Sequence, residues 1–276
     1  MPEAETRDDA LTISALGVLA FIVADIAHEV IGHGAAYLAL GGRSFTMTTT
    51  RWIGRGAHVD AAGHLFVGVE HGDLYGRIFS LGGPLGGLLV AAIAGLALRF
   101  FPNLGVRSRL LLWLTLAFNL FWTVGYLIYS GVTDIGDFAE GVRGVPPALW
   151  RPCMVVAGVL LDLAVARALA REAPIGGDRG RLRRAVWLSY LAAGIVACAA
   201  ALLDPRGADQ LYISGAPSSF LANALLLTVP GLLGRFPSNA AAAAEPIARS
   251  LGWILAALLA AALFVGVLGP GISLSL

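Results

Sequence analysis

The chain has 276 residues, of which 57% are hydrophobic and only 13% are charged, and its mean hydropathy is +0.77. Soluble domains carry about 25% charged residues, so this chain has too few to coat a soluble globule. The same composition excludes intrinsic disorder. A net charge of +1 offers nothing to a polyanion, and we expect no nucleic-acid partner. The composition therefore predicts that the lipid bilayer is a principal partner of the protein.

Seven apolar segments are candidates for crossing the bilayer, which takes about 20 residues of helix. In chain order they are 11–39, 78–100, 109–131, 148–170, 185–203, 217–234 and 249–270. The first is longer than one crossing, and the sixth is the weakest because Pro230 and Gly231 interrupt it. The alternating pattern of barrel strands is absent. The prediction is therefore an all-α, polytopic membrane protein with six or seven transmembrane helices.

The distribution of arginine predicts the orientation of the chain. The connection between the fourth and fifth segments is the most basic, and basic connections stay in the cytoplasm. It holds Arg167, Arg171, Arg179, Arg181, Arg183 and Arg184. We therefore expect an integral protein of a bacterial-type cell membrane with a cytoplasmic N-terminus. If the sixth segment does not cross, the C-terminal end of the chain also lies on the cytoplasmic side.

The connection 40–76 follows the first apolar segment. Its opening, GGRSFTMTTTRW, is rich in β-branched and aromatic residues and predicts a strand, and the rest is Gly-rich and irregular. We expect a short β or irregular connection here. It contains His58, His64 and His71, whose spacings match no standard zinc pattern. These three histidines could cap a site, bind a second metal or be ordinary loop residues.

The first apolar segment contains the strongest functional signal. Asp25, His28, Glu29 and His33 fall within nine residues of an otherwise apolar span, and all five histidines of the chain lie between positions 28 and 71. Ionisable groups inside a membrane helix are costly and usually functional. The cluster therefore predicts a metal site or a catalytic site, and the alternative is a hydrogen-bonded cluster that only ties helices together.

The spacing of the two histidines sets a geometric condition on a metal site. The zinc-protease pattern HExxH places its histidines at i and i+4, whereas His28 and His33 are at i and i+5, about 140° apart on a regular helix. A one-residue π-bulge near Gly32 would bring them together. Without a bulge, Asp25, Glu29 and His33 share a face. A Glu29–His33 metal pair would then have Asp25 or His28 beside it.

The run AHEVIGHGAAYLALGG resembles the active-site helix of the site-2-protease family of intramembrane zinc metalloproteases. SLGGPLGGLL, at 80–89, resembles the family's Gly-Pro segment. The family's third zinc ligand is an Asp in an Asn-containing motif, and 118–138 occupies the corresponding place, with Asn119, Asp134 and Asp137 as its polar landmarks. The resemblance covers roughly residues 20–140. The chain departs from the family by the extra residue in the histidine motif and by an Asp motif without prolines or a following Gly.

The resemblance implies His28 and His33 as zinc ligands, Glu29 as general base and Asp137 as the third ligand. Asp134 competes with Asp137 for that role, and helix capping is the other explanation for either residue. The implied activity is zinc-dependent hydrolysis of a transmembrane or juxtamembrane segment, so the implied substrate is a membrane protein or peptide. The alternatives are a degenerate relative of the family or a multi-pass protein that binds or transports a metal without proteolysis.

The domain organisation follows from the same observations. We expect one transmembrane domain, 1–276, with a metal-site core at 20–140. The additional transmembrane helices at 141–276 have no role that the sequence indicates.

Overall fold

The computed structural model describes residues 8–49, 52–54, 57–59, 65–67, 74–175, 178–212, 220–233 and 245–275. The longer helices are α1 (Ala10–Asp25), α3 (Leu74–Phe100), α4 (Val106–Thr133), α6 (Pro147–Arg171), α7 (Arg179–Leu202) and α10 (Leu251–Leu263). The shorter ones are α2 (Gly34–Ala39), α5 (Asp137–Gly141), α8 (Ala208–Gln210) and α9 (Val229–Leu232). The strands are β1 (Ser44–Met47), β2 (Trp52–Gly54), β3 (Ala57–Val59), β4 (Leu65–Val67) and β5 (Ile272–Ser275).

Six helical stretches are long and apolar enough to cross a membrane. They are Ala10–Ala39, Leu74–Phe100, Val106–Thr133, Pro147–Arg171, Arg179–Leu202 and Leu251–Leu268. The last combines α10 with a π-helical turn, Phe264–Leu268. The predicted all-α, multi-span fold is therefore confirmed, and it is the architecture of an integral membrane protein.

Helix α1 lies at the centre of the bundle. Asp9 caps it by accepting a hydrogen bond from the Thr12 backbone N–H at 2.8 Å, and most of its side chains are buried. Phe21 stacks on Trp122 of α4, with ring centroids 5.4 Å apart. The edge of the Phe264 ring also packs against Phe21. Helices α4, α7 and α10 all pack against α1, which places it inside the bundle.

The outer helices present large apolar side chains to the outside. Leu85 and Ile93 of α3, Leu160 of α6 and Leu255 and Leu259 of α10 are each more than half exposed. A soluble monomer rarely exposes so much contiguous apolar surface. In a bilayer, the same surface contacts lipid.

Three helices run in the same direction through the bundle. The Asp8 carboxylate binds the Arg181 guanidinium at the start of α7, and the Asp9 N–H donates to the Ile247 carbonyl just before α10 at 2.8 Å. The starts of α1, α7 and α10 therefore lie at one end. At the other end, β5 pairs with β1. Since α7 and α10 are parallel, the chain between them must return across the full thickness of the bundle.

The returning segment is irregular. Near the middle of α7, the Tyr190 hydroxyl donates to the Phe220 carbonyl at 2.9 Å. At the start of α7, Arg179 donates to the carbonyls of Pro230 and Gly231. Between these contacts lie a 3₁₀ turn, Ala224–Thr228, and the short α9. The described part of the sixth predicted segment, 220–233, therefore runs from the middle of α7 to its start and is not one regular helix. Pro230 cannot continue a regular hydrogen-bond ladder.

The predicted strand in the first connection is present as β1 and β2, which pair antiparallel. A third strand joins them from the other end of the chain: β5 pairs with β1 from Ser44↔Ser275 to Met47↔Ile272. The sheet order is β2-β1-β5, and β3 and β4 form a separate two-stranded ladder. Phe45 and Met47 of β1 pack with Tyr37 of α2, so this sheet is attached directly to the end of the first span.

Candidate metal centre

The first span changes helix type where its polar residues begin. From Ile26 to His33 the backbone is a π-helix, between α1 and α2. A π-helix closes i→i+5 hydrogen bonds, and the Gly34 N–H accordingly reaches the Glu29 carbonyl. Residues five apart then lie above one another. The rings of His28 and His33 are 4.9 Å apart at 83°, so the structure pairs these two histidines on one face.

Glycines allow α3 to approach the π-helical segment very closely. A Cβ on Gly32 would lie 2.6 Å from the Gly83 Cα, and one on Gly86 would lie 2.7 Å from the Gly32 Cα. Real Cβ atoms do not approach other atoms this closely, so any larger residue would push the helices apart. The GGPLGG run thus serves helix packing, as small residues do in membrane bundles, and it also borders the site.

Asp137 completes the cluster from a different element. Helix α4 ends at Thr133, and Asp137 is the first residue of α5 after Gly136, whose φ of +95° suits glycine. The Asp137 Oδ2 lies 2.9 Å from the His28 Nε2 and 3.5 Å from the His33 Nε2. One ligand atom from each of these three residues lies within 4.8 Å of the other two. Together they form a group that could hold a metal ion.

The tautomer of His33 and the ionisation of Asp137 both suit metal binding. The His33 Nδ1 lies 2.9 Å from the Phe79 carbonyl. A carbonyl only accepts, so we assign the proton to Nδ1, which leaves the Nε2 lone pair free for a metal. Burial raises the pKa of the Asp137 carboxyl, but the imidazoles of His33 and His28 outweigh that effect and hold the pKa below its usual range. Asp137 is therefore the carboxylate that a metal requires.

Aromatic neighbours hold the imidazoles in place. His28 stacks on Trp122 of α4 with ring centroids 5.3 Å apart, and His33 stacks on Phe79 of α3 at 4.8 Å. A Cβ on Gly83 would lie 2.5 Å from the His33 Nε2 and 2.6 Å from the His28 Nε2. The missing side chain of Gly83 therefore leaves the space in front of both ligand atoms open.

Glu29 lies beside the three ligand candidates, and Asp25 lies beside Glu29. Both carboxyls are buried, with 7% and 3% of the residue surface exposed. Glu29 is close enough to His28, His33 and Asp137 to interact with them electrostatically. The bulge-free arrangement, in which Glu29 and His33 pair as ligands, is not the one that the structure adopts, because the π-helix turns His28 towards His33 instead.

The other sequence candidates lie elsewhere or outside the described residues. Asp134 is the left-handed C-cap residue of α4 and is not part of the three-residue group. Asn119 is buried in α4 and donates to the Thr115 carbonyl. His58 lies in β3, but its side chain is outside what the structure describes, as are His64 and His71 altogether.

Sequence reasoning did not single out Phe79 or Tyr126 as site residues. Phe79 supplies both a stacking surface and a carbonyl to His33, and the edge of the Tyr126 ring meets the His28 ring at 6.0 Å. Neither residue stands in a recognisable motif, so only the three-dimensional arrangement reveals them.

Comparisons with protein-family models, with curated proteins and with solved structures found no match to this chain.

Proposed function

We propose that this protein is a zinc-dependent intramembrane metalloprotease of the kind that the histidine motif resembles. The observation that carries the proposal is the π-helical segment. It pairs His28 with His33 opposite Asp137 and leaves the carboxylate of Glu29 next to them. The π-helix thereby places the two histidines of an HExxxH sequence on one face, as a regular α-helix does for the histidines of HExxH.

The separations between ligand atoms support zinc as the metal. Zinc bonds of about 2.0–2.1 Å in a tetrahedral arrangement put neighbouring ligand atoms about 3.3 Å apart. The two contacts of Asp137, at 2.9 and 3.5 Å, bracket that value. The Asp137 Oδ2 forms ion-pair contacts with both imidazoles, but it makes no well-aligned hydrogen bond to a described residue. The convergence of these three ligand atoms supports a shared cation.

His28, His33 and Asp137 would hold the ion and leave a position open for water or substrate. A zinc ion supplies Lewis acidity, which polarises a carbonyl oxygen and acidifies water. Glu29 accepts the proton of the attacking water and then delivers it to the leaving amine nitrogen. The rings of Trp122 and Phe79 cover the two imidazoles and lower the local polarity, which strengthens each electrostatic interaction. Since the site lies within the first span, its substrate is an extended transmembrane or juxtamembrane segment.

A second function is a membrane protein that binds or transports a metal without proteolysis. The irregular return segment favours it, since discontinuous membrane helices often accompany ion sites in transporters. Residues Ala224–Thr228 and Val229–Leu232 break the helix within the bundle. The two functions require the same metal ligands and differ in what Glu29 does.

The test has a metal arm and a proteolysis arm. Purified protein in detergent should contain about one zinc per chain by mass spectrometry. Asp137→Asn should lose most of it, and Asp134→Asn, the matched control, should retain it. Equal zinc in the two variants would contradict the ligand assignment.

Glu29→Gln should keep zinc but slow the cleavage of transmembrane peptides by about 10²–10⁴-fold. Unchanged cleavage would rule out Glu29 as the base, and zinc flux in liposomes without cleavage would favour the transporter.

A further inference from the structure

A tyrosine on α4 borders the metal centre on the side of Asp137. The rings of Tyr126 and His28 meet in a T-shaped arrangement, with centroids 6.0 Å apart and planes at 80°. On α4, Tyr126 is one turn after Trp122, which stacks on the same imidazole. The phenol therefore packs directly against one of the three ligand candidates.

The far end of the Tyr126 ring lies against the turn that delivers Asp137. A Cβ on Gly136 would lie 3.0 Å from the Tyr126 Cε1 and 3.3 Å from its Cζ, the carbon that bears the hydroxyl. Gly136 immediately precedes Asp137. The hydroxyl-bearing end of the Tyr126 ring thus lies against the backbone just before Asp137.

The Tyr126 hydroxyl has no hydrogen-bond partner within the part of the chain that the structure describes. A phenol in a largely buried position usually finds one. Moreover, the carboxylates of Asp137 and Glu29 are close enough to act electrostatically on this hydroxyl. Tyr126 therefore offers an O–H donor beside the carboxylates of Asp137 and Glu29.

We propose that Tyr126 is a further catalytic residue, whose hydroxyl donates a hydrogen bond to the scissile carbonyl oxygen as that oxygen becomes negative. The inference rests on the proposed proteolytic function. As water oxygen bonds to the carbonyl carbon, the C=O π-electron pair moves onto oxygen, and Glu29 holds the water proton. When the C–N bond breaks, that pair re-forms C=O and the proton passes to the amine. Tyr126 keeps its own proton throughout.

The contribution of such a donor is measurable. Removing one preorganised donor to a developing oxyanion lowers kcat by about 10²–10³-fold. Tyr126→Phe removes only the hydroxyl and keeps the ring that packs on His28. We expect kcat to fall by that factor while KM and zinc content remain at the wild-type values. Tyr129→Phe is the matched control, because Tyr129 stacks on Tyr126 at 5.5 Å and its hydroxyl is near Thr133.

A binding measurement provides a readout that does not depend on turnover. A phosphinic peptide with the sequence of the cleaved segment mimics the tetrahedral geometry of the reaction. Its Kd should rise at least tenfold in Tyr126→Phe and stay within about twofold of wild type in Tyr129→Phe. The Kd for the uncleaved amide peptide, measured with Glu29→Gln as background, should not change in either.

The outcomes separate the inference from the proposed function. If Tyr126→Phe cleaves at the wild-type rate with full zinc, the inference is wrong and the protease proposal stands. If Tyr126→Phe loses zinc, the residue is structural and the inference is again wrong. If wild-type protein with full zinc cleaves no transmembrane peptide and binds no phosphinic peptide, the proposed function fails and the inference falls with it.

Discussion

Asp137 and Asp162 are two low-exposure carboxyls of the same bundle with opposite surroundings. Asp137 has two imidazole nitrogens within 3.5 Å of one oxygen. Asp162 lies inside α6, has 2% of its surface exposed, and neither of its oxygens bonds to a described residue. Burial of an acidic group therefore does not identify a metal site by itself. The convergence of ligands from separate elements distinguishes Asp137, and the following predictions test that distinction.

The largest loss of zinc affinity is expected when Gly83 is replaced by alanine. In Gly83→Ala the new Cβ would lie against both Nε2 atoms of the metal centre, so one imidazole must turn away or α3 must shift. We expect zinc affinity, measured by competition with a chelator, to fall at least 10²-fold. Gly95→Ala on the same helix is the control, because its Cβ would meet only Leu116 at ordinary contact distance. Equal zinc affinity in the two variants would contradict the packing described here.

The ion pair between Asp8 and Arg181 lies at the end of the bundle where α1, α7 and α10 begin. It should make the thermal stability of the protein depend on pH. Burial raises the pKa of Asp8, but hydrogen bonds from Arg181 and the Ile247 N–H outweigh it, so the pKa lies below its ordinary value of 3.8. A lowered folded-state pKa contributes stability above the unfolded pKa, and this stability is lost as the pH falls through the folded pKa. We expect Tm to fall below about pH 5 in wild-type protein and to fall less steeply in Asp8→Asn.

A double-mutant cycle with Arg181→Gln measures the Asp8–Arg181 coupling at pH 7. A buried charge-assisted pair predicts about 1–3 kcal/mol. A coupling near zero would show that the carboxylate is stabilised by the Ile247 backbone N–H alone.

Replacing Asp162 should change Tm less than breaking the Asp8–Arg181 pair does, and in the opposite direction. Since an Asp at the centre of a membrane helix costs about 2.5–3.5 kcal/mol on insertion scales, Asp162→Leu should leave Tm unchanged or raise it. It should also leave zinc content unchanged. A loss of more than a few degrees in Tm would mean that the carboxyl has a stabilising role, and the contrast with Asp137 would then weaken.

Deleting Ile31 from the π-helical segment is expected to change zinc binding little. Removing Ile31, which is 44% exposed, leaves the two histidines at i and i+4, so a regular α-helix can pair them. We expect this deletion to retain zinc. Deleting Leu19 from the regular part of α1 should instead disrupt folding, since it rotates one part of the helix by about 100° relative to the other. Loss of zinc without loss of folding in the Ile31 deletion would show that the bulge does more than correct the spacing.

Much of the fold is predictable because long apolar runs and caps are local features. The six spans, the strand at Ser44–Met47 and the need for a bulge between His28 and His33 all follow from short windows of sequence. The pairing of Ile272–Ser275 with that strand does not, because it joins residues more than 200 positions apart. Nor does the irregular path of the sixth segment, whose course depends on contacts with α7.

Whether Asp134 or Asp137 joins the two histidines also depends on tertiary contacts and not on the local sequence. The two residues are three positions apart, and both suit a helix end. Asp134 takes the left-handed capping position, and the turn at Gly136 carries Asp137 to the histidines. No local pattern distinguishes these outcomes, since the position of the turn relative to the first span is a tertiary property.

The central claim is that one ion is bound by two imidazoles from the π-helical segment and one carboxylate from α5. Zinc K-edge X-ray absorption of the purified protein tests it most directly. The account predicts nitrogen and oxygen ligands at about 2.0–2.1 Å, outer-shell scattering from two imidazoles, and loss of one imidazole in His33→Ala. Absence of stoichiometric zinc, or a spectrum without imidazole scattering that His33→Ala leaves unchanged, would contradict it.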